Sequence, residues 1–176
     1  GGKPVPVPAL LFRPPPAAPD AAVPLVIAVH GCSGMYSAVP GRQGQLSPLL
    51  AAWTGQLLGD GYAVLLPDSF TPRGQREICT AKSGDRTIKV AARRLDQLGA
   101  LAYGAALPGI DRARIALLGW SNGGSTALAT INVKDRRVAA FIAAPGAAPF
   151  FRAAVAFYPG CKAALACRYT RQRSAL

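Results

Sequence analysis

A strand, a sharp turn and a helix are predicted from Leu117-Leu118-Gly119-Trp120-Ser121-Asn122-Gly123-Gly124-Ser125. The segment continues an apolar run that begins at Arg114, and small residues that suit a helix follow it. The spacing Gly119-x-Ser121-x-Gly123 is the nucleophile-elbow pattern, in which a serine lies in a strained turn and glycines let strand and helix pass closely. We therefore expect Gly119 and Gly123 to be structural and Ser121 to be exposed at the turn.

Ser121 is the candidate nucleophile of an acyl-transfer site. The helix that follows it would place the backbone N–H of Asn122 and a positive dipole end beside the serine oxygen. Negative charge that develops on an attacked carbonyl oxygen would be stabilised there. The alternative is that the pattern arises by chance in a chain with 19 glycines. A second, independent signal upstream favours the site.

That signal is Leu25-Val26-Ile27-Ala28-Val29-His30-Gly31-Cys32-Ser33-Gly34. Its apolar start is typical of a buried parallel strand and is too short for a helix. In a hydrolase with a nucleophile elbow, the loop after this strand supplies the second oxyanion-hole N–H, here that of Cys32 or Ser33. His30 is the only histidine of the chain. We interpret it as fixing the loop by hydrogen bonding, with general base as the less favoured alternative.

Four segments together resemble the dienelactone hydrolase branch of the α/β-hydrolases. In chain order they are VIAVHGCSG, GYAVLLPDSFTPRG, LLGWSNGGS and FRAAVAFYPGC, and the resemblance runs from about Leu25 to Cys161. It implies a doubly wound, mostly parallel sheet flanked by helices, and hydrolysis of a carboxylic ester or lactone by a nucleophile, a histidine and an acid. In that branch an arginine of the loop matching DSFTPRG holds the substrate carboxylate. Arg73 resembles this group, and an exposed loop arginine is the alternative.

The sequence departs from that branch in two ways. Ser121 stands where dienelactone hydrolase has a cysteine, which favours a general carboxylesterase. In this fold the acid and the histidine follow the nucleophile, but no histidine follows Ser121, and Asp135 is the one later carboxylate. Asp135 lies in a charged cluster and is not expected to be the triad acid. We therefore expect that the last strands and helices are missing, that this chain alone is nearly inactive, or that it is a non-catalytic fragment or binding module that retains the pocket.

The chain is predicted to form one domain over residues 1–176. Residues 1–24 form a proline-rich lead-in with an edge strand at its centre, 25–161 the hydrolase core and 162–176 a frayed basic tail. Asp68 directly follows a strand, and a turn role is expected for it. The other predicted elements are an edge strand at Ala9–Arg13, strands at Tyr62–Leu66 and Ala153–Tyr158, a helix at Leu49–Leu58 after Ser47-Pro48, and a helix from an Asp85 N-cap to Ala106 with an outer basic face.

Composition argues against several partners. The net charge is +12, from 20 basic and 8 acidic residues, but the arginines occur in dispersed pairs without interleaved aromatic residues, so no nucleic-acid partner is predicted. No apolar segment is long enough to span a bilayer, and no membrane partner is expected. The expected partner is a small-molecule ester or lactone. A half-finished sheet would also need cover from a homodimer mate or a second chain.

Four cysteines occur, at Cys32, Cys79, Cys161 and Cys167. No pair has metal-ligand spacing, so neither a metal nor a cofactor is predicted. Cys32 and Cys79 both follow strands at the predicted active-site edge, where a disulfide and free thiols are equal alternatives. No signal peptide is visible, although the chain does not begin with Met. A secreted or periplasmic location is slightly favoured, because a disulfide needs an oxidising compartment.

Overall fold

A five-stranded mixed sheet forms the centre of the protein in the computed structural model, which describes residues 5–15, 21–82 and 84–160. The strands are β1 at Ala9–Phe12, β2 at Val23–Val29, β3 at Ala63–Pro67, β4 at Ile110–Trp120 and β5 at Ala153–Phe157. Their order in the sheet is β1-β3-β2-β4-β5. The edge strand β1 is antiparallel to β3, and the remaining neighbours are parallel. This arrangement confirms the predicted mostly parallel sheet.

Helices cover both faces of the sheet, as a doubly wound fold requires. They are α1 at Pro48–Gly59, α2 at Val90–Ala106, α3 at Asn122–Thr130 and α4 at Arg136–Ala143, and a short 3-10 turn spans Thr71–Arg73. Side chains of β2 alternate between two cores: Leu25 and Ile27 pack in the same cluster as Leu101 of α2, whereas Val26 packs in the same cluster as Leu50 of α1. This alternation places α1 on one face, and α2 with α3 on the other.

Two predicted details of α2 are wrong. The helix begins at Val90 with Lys89 as its N-cap, and Asp85 lies in a preceding turn. The expected outer basic face is absent at Arg93 and Arg94, because both side chains are buried beneath the helix. Polar side chains on this face interrupted the apolar period, so the sequence alone did not reveal which side of α2 faces the core.

The last described strand lies at an open edge. Ala153, Ala154 and Val155 of β5 are exposed, and the described residues include no strand on the outer side of β5. Cys161, Cys167 and the predicted basic tail at 162–176 lie outside the described residues. None of the helices in the described part of the chain combines the length and the apolar character that a bilayer-spanning segment needs.

Candidate active site

Ser121 occupies a strained turn between β4 and α3. Its backbone torsions are φ 53° and ψ −118°, a conformation that residues with a side chain rarely adopt. The N–H of Ser121 donates to the carbonyl oxygen of Phe157 at 3.0 Å, so β5 holds the turn from one side. The residue is partly exposed. The serine therefore stands at the carboxyl end of the sheet and at the N-terminus of a helix.

The glycines around Ser121 allow an unusually close approach of backbone segments. A Cβ on Gly119 would lie 2.3 Å from the carbonyl oxygen of Gly123. A Cβ on Gly123 would lie 2.1 Å from the carbonyl oxygen of Val29 and 2.6 Å from that of His30. Real Cβ atoms do not occupy such distances, so only glycine lets α3 begin directly against the end of β2.

The loop after β2 reaches the same place. Val29 pairs with Gly119 in the parallel register, and a Cβ on Gly31 would lie 3.7 Å from the Cβ of Ser121. Cys32 and Ser33 follow directly. Within residues 5–15, 21–82 and 84–160, the backbone N–H groups of Asn122, Cys32 and Ser33 donate to no acceptor. For Asn122 this is expected of the first residue of a helix.

A disulfide fixes the loop that carries Cys32. The bond joins Cys32 to Cys79, with a Cα–Cα distance of 4.9 Å. The N–H of Ile78 also donates to the carbonyl oxygen of Cys32 at 2.7 Å. Gly34 is equally constrained, because a Cβ there would lie 2.0 Å from the carbonyl oxygen of Arg76. Of the two alternatives for these cysteines, the structure has the disulfide, and it connects the loops that follow β2 and β3.

His30 is buried beneath the site, with 1% of its surface exposed. Its Nδ1 lies 2.9 Å from the carbonyl oxygen of Gly31, and its ring packs edge-on against Phe70 at 4.5 Å. Burial, and secondarily the positive charge of Arg93, hold the pKa of His30 well below its usual value, so the ring is neutral. These contacts fit the predicted role in fixing the loop. They leave His30 without the exposure that a proton-transferring base needs.

The fully buried Arg93 is a site residue that the sequence did not indicate. Its Nη1 donates to Oδ1 of Asn122 at 2.6 Å, and its Nη2 donates to the carbonyl oxygen of His30 at 2.7 Å. The guanidinium carbon also lies 4.8 Å from the ring centre of Phe70. Burial lowers the pKa of Arg93 to about 9, which still leaves the guanidinium charged at neutral pH.

The position of Arg93 on its helix explains why it was missed. Arg93, Gln97 and the core residue Leu101 are spaced four residues apart and therefore share one face of the helix. All three are buried. The spacing was therefore visible in the sequence. In the sequence, Arg93 and Gln97 on one helix face indicate that this face is solvated. Only the folded structure shows that Arg93 contacts the segment after the elbow.

Arg73 has partners within the protein. Its Nη1 donates to the carbonyl oxygen of Ser69 at 2.7 Å and to Oδ2 of Asp96 at 2.9 Å, while Nη2 donates to Oδ1 of Asp96 at 2.8 Å. The side chain of Asp96 is 6% exposed and that of Arg73 20%. Three of the five N–H groups of Arg73 are thus used within the protein, and its charge is paired with Asp96, which weakens its attraction for a substrate carboxylate.

Arg73 also borders a cavity that is separate from the elbow. This cavity has a volume of about 920 Å³ and lies between β1 and α2, where Ala9, Leu95 and Tyr103 contribute to its wall. Ser121 and Cys32 are not among its lining residues. Its volume therefore cannot be assigned to a substrate of Ser121.

The two other carboxylates considered from the sequence are structural. Oδ1 of Asp68 accepts the N–H groups of Phe70 and Thr71, which is the expected turn role. Asp135 is the N-cap of α4 and forms a 2.8 Å ion pair with Arg94. Among the described residues, no group of three or more His, Cys, Asp or Glu side chains is placed to hold a metal ion.

The chain matches no protein-family model and no curated protein sequence. It is similar to solved structures. One is a Klebsiella pneumoniae protein assigned as a dienelactone hydrolase, with a TM-score of 0.58 and 20% identity over 87% of this chain and 54% of that one. A second is Est1E from Butyrivibrio proteoclasticus with bound ferulic acid, with a TM-score of 0.57 and 19% identity over 87% of this chain and 49% of that one.

A third similar structure is the thermophilic esterase Est2 from Thermogutta terrifontis with bound propionate. Its TM-score is 0.56, with 21% identity over 86% of this chain and 49% of that one. The chain thus spans about half the length of these three proteins. Identities this low show the fold alone. Together with the strand order and the turn at Ser121, these similarities show that the chain has the α/β-hydrolase fold.

Proposed function

We propose that this chain belongs to a serine hydrolase of the dienelactone hydrolase type, which cleaves a carboxylic ester or lactone through an acyl-enzyme on Ser121. The observation that carries the proposal is the strained, partly exposed Ser121 at the N-terminus of α3, with Gly31 of the loop after β2 so close that a Cβ there would lie 3.7 Å from the Cβ of Ser121. The strain supports a functional role, because backbone strain of this kind concentrates at catalytic sites. The esterase names of the similar structures are consistent with this reaction.

The proposed reaction gives each of these groups one step. Oγ of Ser121 attacks the carbonyl carbon of the ester and passes its proton to a base, while the carbonyl π electrons move onto oxygen. The N–H of Asn122 and that of Cys32, with Ser33 as the alternative, donate to this oxyanion. The oxyanion collapses, the C–O bond to the alcohol breaks, and the leaving oxygen takes the proton. Water then attacks the acyl-enzyme by the same steps and releases the acid.

The base and its acid partner are proposed to come from the parent protein outside these 176 residues. His30 is buried and bonded to its own loop. Asp68 and Asp135 are used by a turn and a helix N-terminus. Without the triad partners, an oxyanion hole and substrate binding still leave roughly 10³-fold acceleration over water. We therefore expect weak activity from this chain and full activity from the parent protein.

The proposed substrate is a small-molecule ester or lactone, with a general carboxylesterase favoured over a dienelactone hydrolase because the nucleophile is a serine. The resemblance to the dienelactone hydrolase branch proposes Arg73 as the anchor of a substrate carboxylate. Its bidentate contact with Asp96 weakens this proposal and favours an uncharged substrate. The disulfide supports an oxidising compartment, either secreted or periplasmic. The exposed edge of β5 supports a homodimer or a second chain as the partner that completes the sheet.

A fluorophosphonate probe tests the assignment of the nucleophile. We expect one adduct per protein molecule at Ser121 of the parent protein, located by intact mass and peptide mapping, and slower labelling of this chain alone. Ser121→Ala should abolish the adduct. Ser125→Ala is the matched control, because Ser125 lies one helical turn away and its Oγ accepts the N–H of Gly160. Absence of an adduct in the parent protein, or labelling that survives Ser121→Ala, would overturn the proposal.

The second candidate function is a non-catalytic binding module that retains the pocket. The absence of a base among the described residues favours it. It predicts that a non-hydrolysable ester analogue binds, that Ser121→Ala leaves this binding unchanged, and that the probe fails to label the parent protein. Labelling at Ser121 would exclude it.

A further inference from the structure

We propose that Arg93 is a positioning residue that sets the geometry of the oxyanion hole from beneath. The inference rests on the proposed function of Ser121. It adds a role for a residue on α2, which contributes no other group to the site. The role concerns the relative placement of two backbone segments, and it does not require Arg93 to contact the substrate.

The guanidinium of Arg93 joins the two segments that supply the proposed oxyanion donors. One donor amide belongs to Asn122, whose side-chain oxygen accepts Nη1 at 2.6 Å. The other follows His30 by two or three residues, and the carbonyl oxygen of His30 accepts Nη2 at 2.7 Å. Because the fork of a guanidinium is planar and rigid, its two donors fix these acceptors relative to each other.

Burial of the charged guanidinium of Arg93 costs free energy. A residue that only filled space in the core would not need this charge. The side chain is 0% exposed, and no carboxylate lies within ion-pair distance of it in the described part of the chain. The carboxylates of Asp96 and Asp68 raise the pKa of Arg93 against the larger effect of burial, but neither forms an ion pair with it, and Asp96 is bonded to Arg73. An apolar residue would fill such a position at lower cost.

A buried charge that forms no ion pair among the described residues suits a site where negative charge develops. Arg93 contributes a fixed positive charge directly behind the helix N-terminus that begins at Asn122. In a buried environment such a preorganised charge favours an oxyanion, and it needs no rearrangement during the reaction. The hydrogen bonds of Arg93 to the two segments and its positive charge would therefore both stabilise the oxyanion.

The matched control is Arg94, the next residue of the same helix. It is also buried, but it pairs with Asp135 and contacts neither Asn122 nor His30. Arg93→Gln and Arg94→Gln each remove one buried guanidinium from α2. A general loss of stability would affect both variants, whereas a change in the oxyanion hole would affect only the first.

The experiment measures the rate constant of fluorophosphonate labelling at Ser121 in the parent protein, with urea unfolding recorded for each variant. We expect Arg93→Gln to lower the rate about 10- to 100-fold and Arg94→Gln to change it less than about twofold. Arg93→Lys retains the charge but loses the fork, so it should recover part of the rate. Asn122→Ala keeps the backbone N–H but removes the acceptor of Nη1, so it should also slow labelling.

The double variant Arg93→Gln/Asn122→Ala tests whether the two residues affect the labelling rate through the same contact. If both residues act through one contact, the double variant should label little more slowly than Arg93→Gln alone. Multiplied effects, or a wild-type rate in Arg93→Gln, would overturn the inference while Ser121 remains the nucleophile. Equal loss of rate in Arg93→Gln and Arg94→Gln would overturn it as well. Absence of labelling in the wild-type protein would remove the proposed function and this inference together.

Discussion

Gly123 lies against Val29 so closely that a Cβ at position 123 would be 2.1 Å from the carbonyl oxygen of Val29. The two residues belong to α3 and β2, the elements that carry the two halves of the proposed oxyanion hole. A backbone contact this close couples the position of the helix N-terminus to the end of the strand. Substitution of this glycine should therefore affect both folding and the site.

We predict that Gly123→Ala lowers the free energy of unfolding by about 3–5 kcal/mol, because backbone must move to make room for the methyl group. Labelling at Ser121 should fall with it. Gly99→Ala is the matched control, since Gly99 lies in α2 and a Cβ there meets nothing within 4 Å. That substitution should raise stability by about 0.5–1 kcal/mol. Urea unfolding measures both, and equal effects would contradict the close packing at Gly123.

The disulfide should support both stability and the site. Cys32 and Cys79 are 47 positions apart, and chain entropy for a loop of that size gives a stabilisation of about 4 kcal/mol as an upper value. We predict that Cys79→Ser lowers unfolding free energy by about 2–4 kcal/mol and slows labelling at Ser121, because the loop carrying Cys32 is released. The wild-type protein in dithiothreitol should behave like the variant. A reductant that changes neither quantity would show that the bond is dispensable.

The ion pair of Arg73 and Asp96 should be structural. Removal of one partner leaves the other charge in a largely buried place, so Arg73→Met and Asp96→Asn should each cost about 2–3 kcal/mol. The double variant should cost clearly less than the sum of the two. Steady-state kinetics of the parent protein provide the test of substrate anchoring. A structural role predicts that Arg73→Met changes KM equally for an ester that carries a carboxylate and for a neutral ester. If Arg73 binds substrate, Arg73→Met should instead raise KM only for the ester that carries the carboxylate.

The sheet and the elbow could be predicted because their signals are local. Apolar runs of strand length and the glycines around Ser121 reflect sterics within a few residues. The doubly wound, mostly parallel arrangement followed from the resemblance of four segments to a known fold, and the strand order was not predicted. The start of α2 at Val90 could not be predicted, since aspartate is a preferred N-cap residue type and Lys89, the N-cap in the structure, is not.

The support beneath the site could not be predicted, because it depends on contacts between distant residues. Arg93 lies 29 positions from Asn122 and 63 from His30. The pairing of Arg73 with Asp96 likewise spans 23 positions. In a sequence, an arginine indicates a solvent-exposed position. Only the fold shows that a hydrogen-bond acceptor lies within reach of each of these two arginines in the interior.

The burial of His30 predicts a pH dependence of stability with a definite sign. The folded-state pKa of His30 lies well below 6.5. As the pH falls, His30 therefore binds a proton in the unfolded chain at a pH at which it stays neutral in the folded protein. Stability should be complete above about pH 7.5 and decline below pH 6.5, with a slope approaching about 1.4 kcal/mol per pH unit. Since His30 is the only histidine, His30→Asn should flatten the profile between pH 7.5 and 5.5. Urea unfolding across that range measures it, and a wild-type profile that is flat or rises toward acid would show that the ring accepts a proton in the folded state.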